Sequence, residues 1–188
     1  FKSENVIQSS FQRDNLAYMV LEENHKIKRV KSMLNKIDGS AIVYVRSRKK
    51  AYEISTELNR SGISSSFYHA GINIDDRSDS QDKWMNNEVR VMVATNAFGM
   101  GVDKADIRFV LHAQVPRTIE AWTQEVGRAG RDGKPSFCET LFFAEDLAVQ
   151  QEFVRWANPD REFVLSVWSI LESWGERVAT KDLGDLVS

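Results

Sequence analysis

The sequence predicts an α/β protein: a parallel sheet with helices on both faces, plus a C-terminal helical extension. Three observations carry this. Short, continuous apolar runs at Ala41–Val45, Val91–Ala94 and Phe109–His112 have the composition of strands covered on both faces. Segments with apolar residues at helical spacing alternate with them, the rhythm that generates parallel crossovers. From Glu145 onward only helical patterning remains.

Taken in order, residues 1–15 lack periodicity and read as a lead-in. Leu16–Leu21 is a short apolar strand. His25–Ile37 places Ile27, Val30, Met33, Leu34 and Ile37 on one helical face, and Asp38-Gly39 ends it. The strand Ala41–Val45 exits into the basic cluster Arg46–Lys50. A helix with Ala51, Ile54 and Leu58 on one face follows, closed by Ser61-Gly62. Ile63–Tyr68 is a weaker strand that opens into His69-Ala70-Gly71. Asp75–Asn86 is a polar helix with Trp84 and Met85 near its end. After the strands at Val91 and Phe109 come a helix over Thr118–Val126 and a strand over Glu139–Phe143. The main domain thus spans 16–147. The tail, 148–188, continues a helix begun at Glu145 through Ala157, breaks at Asn158-Pro159, and resumes over Asp160–Trp174 until Gly175. Thr180 suits the N-cap of a further helix. Phe153, Trp156, Phe163, Trp168 and Trp174 recur at helical spacings and are expected to pack the tail against the main domain.

Composition narrows the function classes. With 188 residues the chain can bury a sizeable core. Its formal net charge of −2 does not announce nucleic-acid binding, so any such contact must be a local patch. A single cysteine, Cys138, and three dispersed histidines build neither a disulfide framework nor a zinc cluster, and they point to an intracellular setting. No apolar run approaches the roughly 18 residues needed to span a bilayer. The chain begins at Phe1 and stops at Val187-Ser188, and reads as a piece of a longer protein.

The stretch from Val91 to Gly133 concentrates the chemistry. Arg128 and Arg131 follow a helical segment holding Gln124, and continuing that helix would set both arginines on one face. Gly127, Gly130 and Gly133 strip away bulk around them. A guanidinium is permanently charged and forks onto phosphate oxygens, so this is a place for an arginine finger. The chain has no phosphate loop of its own: five residues separate Gly127 from Gly133, and Pro135 stands where a hydroxyl should bind magnesium. It carries half of a phosphate-handling site. Thr95, with Gly99 and Gly101, can grip a phosphodiester through a hydroxyl and backbone amides. Ser47, Arg48, Lys49 and Lys50 form a basic loop at another strand exit, and His69 lies at a third. Carboxyl ends of parallel strands are where ligands bind, so the chemistry is expected to gather there. His112, closing an apolar strand, reads as core-edge.

Ala94–Lys104 resembles motif V of RecQ-type DNA helicases, and Gln124–Gly133 resembles their motif VI. Ile42–Lys50 is similar to motif IV, and Tyr68–Gly71 to a further signature. The resemblance covers Asn15–Leu147 and implies the second of two RecA-like lobes of a superfamily 2, ATP-dependent helicase moving 3′ to 5′. ATP and Mg2+ would be held mainly by the first lobe of the same polypeptide, and no zinc by this chain. The resemblance makes Arg131 the finger on the γ-phosphate and Arg128 its companion, with Gln124 also in the catalytic set. Asp103 and Gly101 fall to the nucleotide side. Ser47, Arg48, His69 and Thr95 fall to single-stranded or forked DNA. It also implies roles in DNA repair and recombination, and residence in the cytoplasm with the nucleoid or in the nucleus, according to the organism.

This chain departs from the family at Ala113-Gln114, where an acid is usual, and at Trp122-Thr123, where tyrosines are common. No cysteine follows Cys138, so the family's zinc module is missing, and the tail is expected to begin a winged-helix-like module. An RNA helicase lobe, a duplex translocase lobe and a non-catalytic nucleic-acid-binding domain remain alternatives. Alone, the chain is expected to be inactive.

Overall fold

The computed structural model describes residues 12–99 and 102–174. Its strands are β1 Leu16–Glu22, β2 Ser40–Tyr44, β3 Ser65–Tyr68, β4 Val91–Ala94, β5 Ile107–His112 and β6 Ser136–Phe142. The helices are α1 Lys26–Leu34, α2 Arg48–Arg60, α3 Ile74–Met85, α4 Ile119–Val126, α5 Ala144–Ala157 and α6 Arg161–Trp174. The strands form one sheet in the order β1-β6-β5-β2-β4-β3, and every pairing is parallel. Residues 1–11, Gly101, Gly175 and Thr180, each assigned a place from sequence, lie outside the described residues.

All five residues of β2 are buried because both of its faces are covered. Val43 points into one core with Val30 and Leu34 of α1 and Leu58 of α2. Ile42 and Tyr44 point into the other, with Trp84 of α3 and Val126 of α4. This strict alternation gives two cores from one strand. Helix α1 stops at Leu34, short of the expected Ile37, and Arg90 takes up its last carbonyl and those of the turn that follows. The Arg90 Nη2 donates to Leu34 O at 2.6 Å and to Ile37 O, and Nε donates to Gly39 O at 3.1 Å.

The connection from β4 to β5 crosses over β2 and contains no helix among its described residues. Phe98 and Val102 descend from it into the core instead. The Phe98 ring lies 4.7 Å from Tyr68 and 5.4 Å from Trp84, edge-on to the indole.

Three further expectations are corrected. Arg48–Lys50 is not a loop but the first turn of α2. Ser47 is its N-cap, its hydroxyl accepting from Lys50 N at 3.2 Å. Strand β6 begins at Ser136, three residues before the expected Glu139; exposed Phe137 and polar Ser136 hide the start of the pattern. Arg128 and Arg131 do not share a helical face. Helix α4 ends at Val126, and Gly130, at φ +54°, turns the chain away. A Cβ on Gly130 would fall 2.6 Å from Asn15 Nδ2 and 2.7 Å from Ser136 Oγ, so glycine is required there.

The chain divides into two units after Leu147. In the second unit, Asp160 Oδ1 accepts from Phe163 N at 2.8 Å, which starts α6 after the break at Asn158-Pro159. Trp156, Phe163, Trp168 and Trp174 are exposed.

Candidate functional site

The strand ends are in register at the carboxyl rim. Tyr44 stands opposite both Ala94 and His112, and Ala94 opposite Tyr68. The exits carrying Ser47, His69 and Thr95 therefore lie side by side. Ser47, Arg48, Lys49 and Lys50 are exposed, and the first turn of α2 contains no acid. Cations at a helix N-terminus oppose the helix dipole, at a typical cost of about 0.3–1 kcal/mol each, and the same end attracts anions. The Arg48 guanidinium packs on Gly71, so the basic turn and the His69–Gly71 turn meet. His69 Nδ1 accepts from Gly71 N at 3.2 Å. Thr95 is buried; its N–H donates to Tyr68 O at 3.1 Å and its carbonyl accepts from Phe98 N at 2.9 Å.

The expectation that all the chemistry gathers at this rim is not met. Asp103 and Arg131 lie at the opposite, amino rim. Gly130 N donates to Ile107 O, at the first residue of β5, at 2.8 Å, and Asp132 N donates to Ala105 O at 3.2 Å. Arg131 Nη1 contacts Asp103 Oδ1 at 2.7 Å, with 38% of the arginine side chain and 82% of the aspartate side chain exposed. Exposed pairs of this kind contribute roughly 0–1 kcal/mol, so Arg131 can exchange Asp103 for another anion at little cost. The polar chain connecting the rims descends as the β4–β5 connection, and Lys104 anchors its far end on Met85 O at 3.1 Å and Asn87 Oδ1 at 2.8 Å.

Arg128 turns elsewhere. Its guanidinium packs on Gly99, where φ is +140° and any Cβ would collide with it. Its Nε is buried with no hydrogen-bond partner. Burial pushes the Tyr44 phenol well above the ordinary tyrosine range, and the Arg128 charge and hydrogen bond act the other way. Gln124, on the last turn of α4, is exposed. These cationic groups suit phosphate oxygens. Among the described residues no group of three or more His, Cys, Asp and Glu converges to hold a metal ion.

Several residues that hold this site were not singled out from sequence. Arg13 Nη2 donates to Ala129 O at 3.2 Å and Gly130 O at 2.7 Å, and Asn15 Nδ2 donates to Gly130 O at 2.8 Å and Lys134 O at 3.0 Å. The lead-in therefore clamps the arginine turn. Arg108 completes it with a 2.5 Å bond to Asp132, whose carboxyl that bond holds below the usual aspartate range. The buried Asp146 gathers Lys26 and Arg46 Nη2, the latter at 2.6 Å. No local sequence signal marks contacts between such distant positions.

Comparison with known proteins gives a consistent picture. Residues 25–133 match the family described as the helicase conserved C-terminal domain. The chain is 42% identical over 151 residues to the ATP-dependent DNA helicase RecQ of Bacillus subtilis, covering 80% of this chain and 26% of that protein. It is 42% identical over 165 residues to the ATP-dependent helicase SGS1 of Saccharomyces cerevisiae, covering 83% of this chain and 11% of that one. The chain thus spans a minor part of these relatives. The fold is similar to that of the E. coli DEAD-box protein SrmB, with a TM-score of 0.62 and 24% identity over 70% of this chain and 78% of that one.

Proposed function

Because the chain belongs to the helicase conserved C-terminal domain family, we propose that it is the second motor lobe of an ATP-dependent, 3′–5′ DNA helicase of RecQ type. DNA, rather than RNA, is favoured by the names of the relatives at 42% identity. The observation that carries the motor role is the loosely held Arg131: a partly exposed guanidinium, on a turn clamped by Arg13, Asn15 and Arg108, whose partner is an exposed carboxylate. A rigid turn with an exchangeable cation is what an arginine finger requires.

In this reading Arg131 and Arg128 present positive charge to the phosphates of ATP, and a first lobe of the polypeptide holds the nucleotide and Mg2+. ATP, when bound, supplies the free energy of its hydrolysis. Asp103 releases Arg131 as the lobes approach, and Gln124, Gly101 and the same aspartate line the nucleotide side. Ser47, Arg48, His69 and Thr95 face single-stranded or forked DNA at the other rim. There the helix N-terminus and its basic turn take phosphates without reading bases. The segment that starts at Thr95 ends at Asp103, so lobe closure at one rim moves the grip at the other. The exposed rings of the second unit leave a winged-helix-like continuation as our reading of the tail.

The test is Arg131→Ala in the full-length protein. DNA-stimulated ATP turnover is expected to fall by about 10³–10⁵ while nucleotide binding persists. Turnover near the unmodified rate overturns the assignment.

A further inference from the structure

We infer that His112 is a positioning residue for Arg128, acting through Glu125 and Tyr44. The inference rests on the proposed role of Arg128 at the nucleotide. His112 is fully buried at the end of β5, where an aliphatic residue would complete the apolar strand at lower desolvation cost. Its polar atoms are used instead. Nε2 lies 2.8 Å from Glu125 Oε2, and Nδ1 lies 3.4 Å from Thr140 Oγ1. Thr140 Oγ1 in turn accepts from Trp122 Nε1 at 3.0 Å. The imidazole also stacks on Tyr44, with centroids 5.4 Å apart and planes 17° from parallel.

Both contacts lead to Arg128. Glu125 is a buried acid on the final turn of α4, three residues before Arg128, at the point where the helix gives way to the arginine turn. A buried carboxylate must be partnered, so its bond to His112 sets how α4 ends. Tyr44, stacked on the imidazole, donates its hydroxyl to Phe98 O at 3.4 Å, next to Gly99, on which the Arg128 guanidinium packs. Arg128 keeps a buried Nε without a partner, so its own hydrogen bonds do not fully determine its pose. The neighbours must. A displacement of about 1 Å in a group that orients charge in an active site can cost on the order of 10²-fold in rate. A residue serving packing alone would need only volume; His112 supplies volume, a bond to the acid and a flat face for the phenol.

The test is a mutant cycle in the full-length protein, read as kcat and KM for ATP in DNA-stimulated hydrolysis. His112→Leu keeps bulk and removes both nitrogens, whereas His112→Gln keeps an N–H near the position of Nε2. His112→Leu is expected to lower kcat about tenfold with KM changed by less than about twofold, and His112→Gln to recover most of the loss. In an Arg128→Ala background, His112→Leu is expected to cost nothing further, because it acts through a side chain already gone. Unchanged kcat in His112→Leu, or its full cost added on top of Arg128→Ala, overturns the inference while leaving Arg128 its role. An Arg128→Ala protein with undiminished turnover overturns that role and the inference together. Should His112→Leu fail to fold, the isosteric Glu125→Gln enters the same cycle with the same expectations.

Discussion

Replacing Phe98 with alanine tests whether the β4–β5 connection is a packed part of the sheet or an ordinary surface loop. Phe98 is 1% exposed and touches Tyr68 and Trp84. A buried phenylalanine withdraws on the order of 150–250 Å² from water. At about 25 cal/mol per Å², that is worth roughly 4–6 kcal/mol, of which an alanine methyl keeps a minor share. The cavity left behind adds to the loss, and measured Phe→Ala substitutions in cores cost about 3–5 kcal/mol. Phe98→Leu, which nearly conserves volume, should cost under about 1.5 kcal/mol. Urea unfolding followed by tryptophan fluorescence measures both. Trp84 meets Phe98 edge-on at 5.4 Å, so its native emission should shift as well. The midpoint should fall with the denaturant slope unchanged. A loss below about 1 kcal/mol for the alanine variant, or equal losses for alanine and leucine, would refute the packing argument.

Gly130→Ala combines left-handed backbone strain, about 1–2 kcal/mol, with a Cβ that would fall 2.9 Å from the Lys134 carbonyl and displace Asn15 and Ser136, so both thermal stability and DNA-stimulated ATP turnover should drop; an unaltered melting temperature would contradict this. Cys138, whose thiol burial pushes up to about 12, should resist iodoacetamide near pH 8 until urea is added, and rapid labelling of the native protein would be the contrary result. Its raised value means the associated stability is complete below the ordinary thiol range and is lost as pH rises toward the folded value. For Asp132 the sign is opposite. The Arg108 bond lowers its value, so its contribution is present above the ordinary carboxylate range and disappears as pH falls through the folded value. Melting temperatures followed into acid should therefore fall less steeply for Asp132→Asn than for the unmodified chain, and parallel curves would count against the bond.

How much of this was legible in the sequence depended on burial. Strands β2, β4 and β5 read directly as apolar runs because both of their faces are covered. Strand β6 read poorly at its start because Phe137 faces outward and Ser136 is buried through its hydrogen bonds to Arg108 and Lys134. The motif residues were visible, but their placement was not. Ser47 looked like loop because its N-cap role depends on the turn that follows being helical despite three cations. Arg128 and Arg131 looked like one helical face because spacing alone cannot register that Gly130 sits at positive φ. The clamp from Arg13 and Asn15, and the gathering of Lys26 and Arg46 on Asp146, join parts of the chain 100 or more residues apart. Such contacts follow from topology, not from local pattern. The same holds for His112, whose place at the end of an apolar run suggested the edge of the core, whereas it is fully buried with polar partners on both nitrogens.

The β4–β5 connection has one more consequence. Surface loops usually accept insertions and deletions because only their ends are constrained. This one starts at the carboxyl rim and finishes at the amino rim, and it is pinned between them by Phe98 and Val102 and at its far end by Lys104. Its length is therefore a fixed measure of the sheet's height, as a stay is cut to its mast. Adding or removing a residue there would leave Thr95 or Asp103 out of position. Indel scanning across the domain should find this segment as intolerant as the strands themselves.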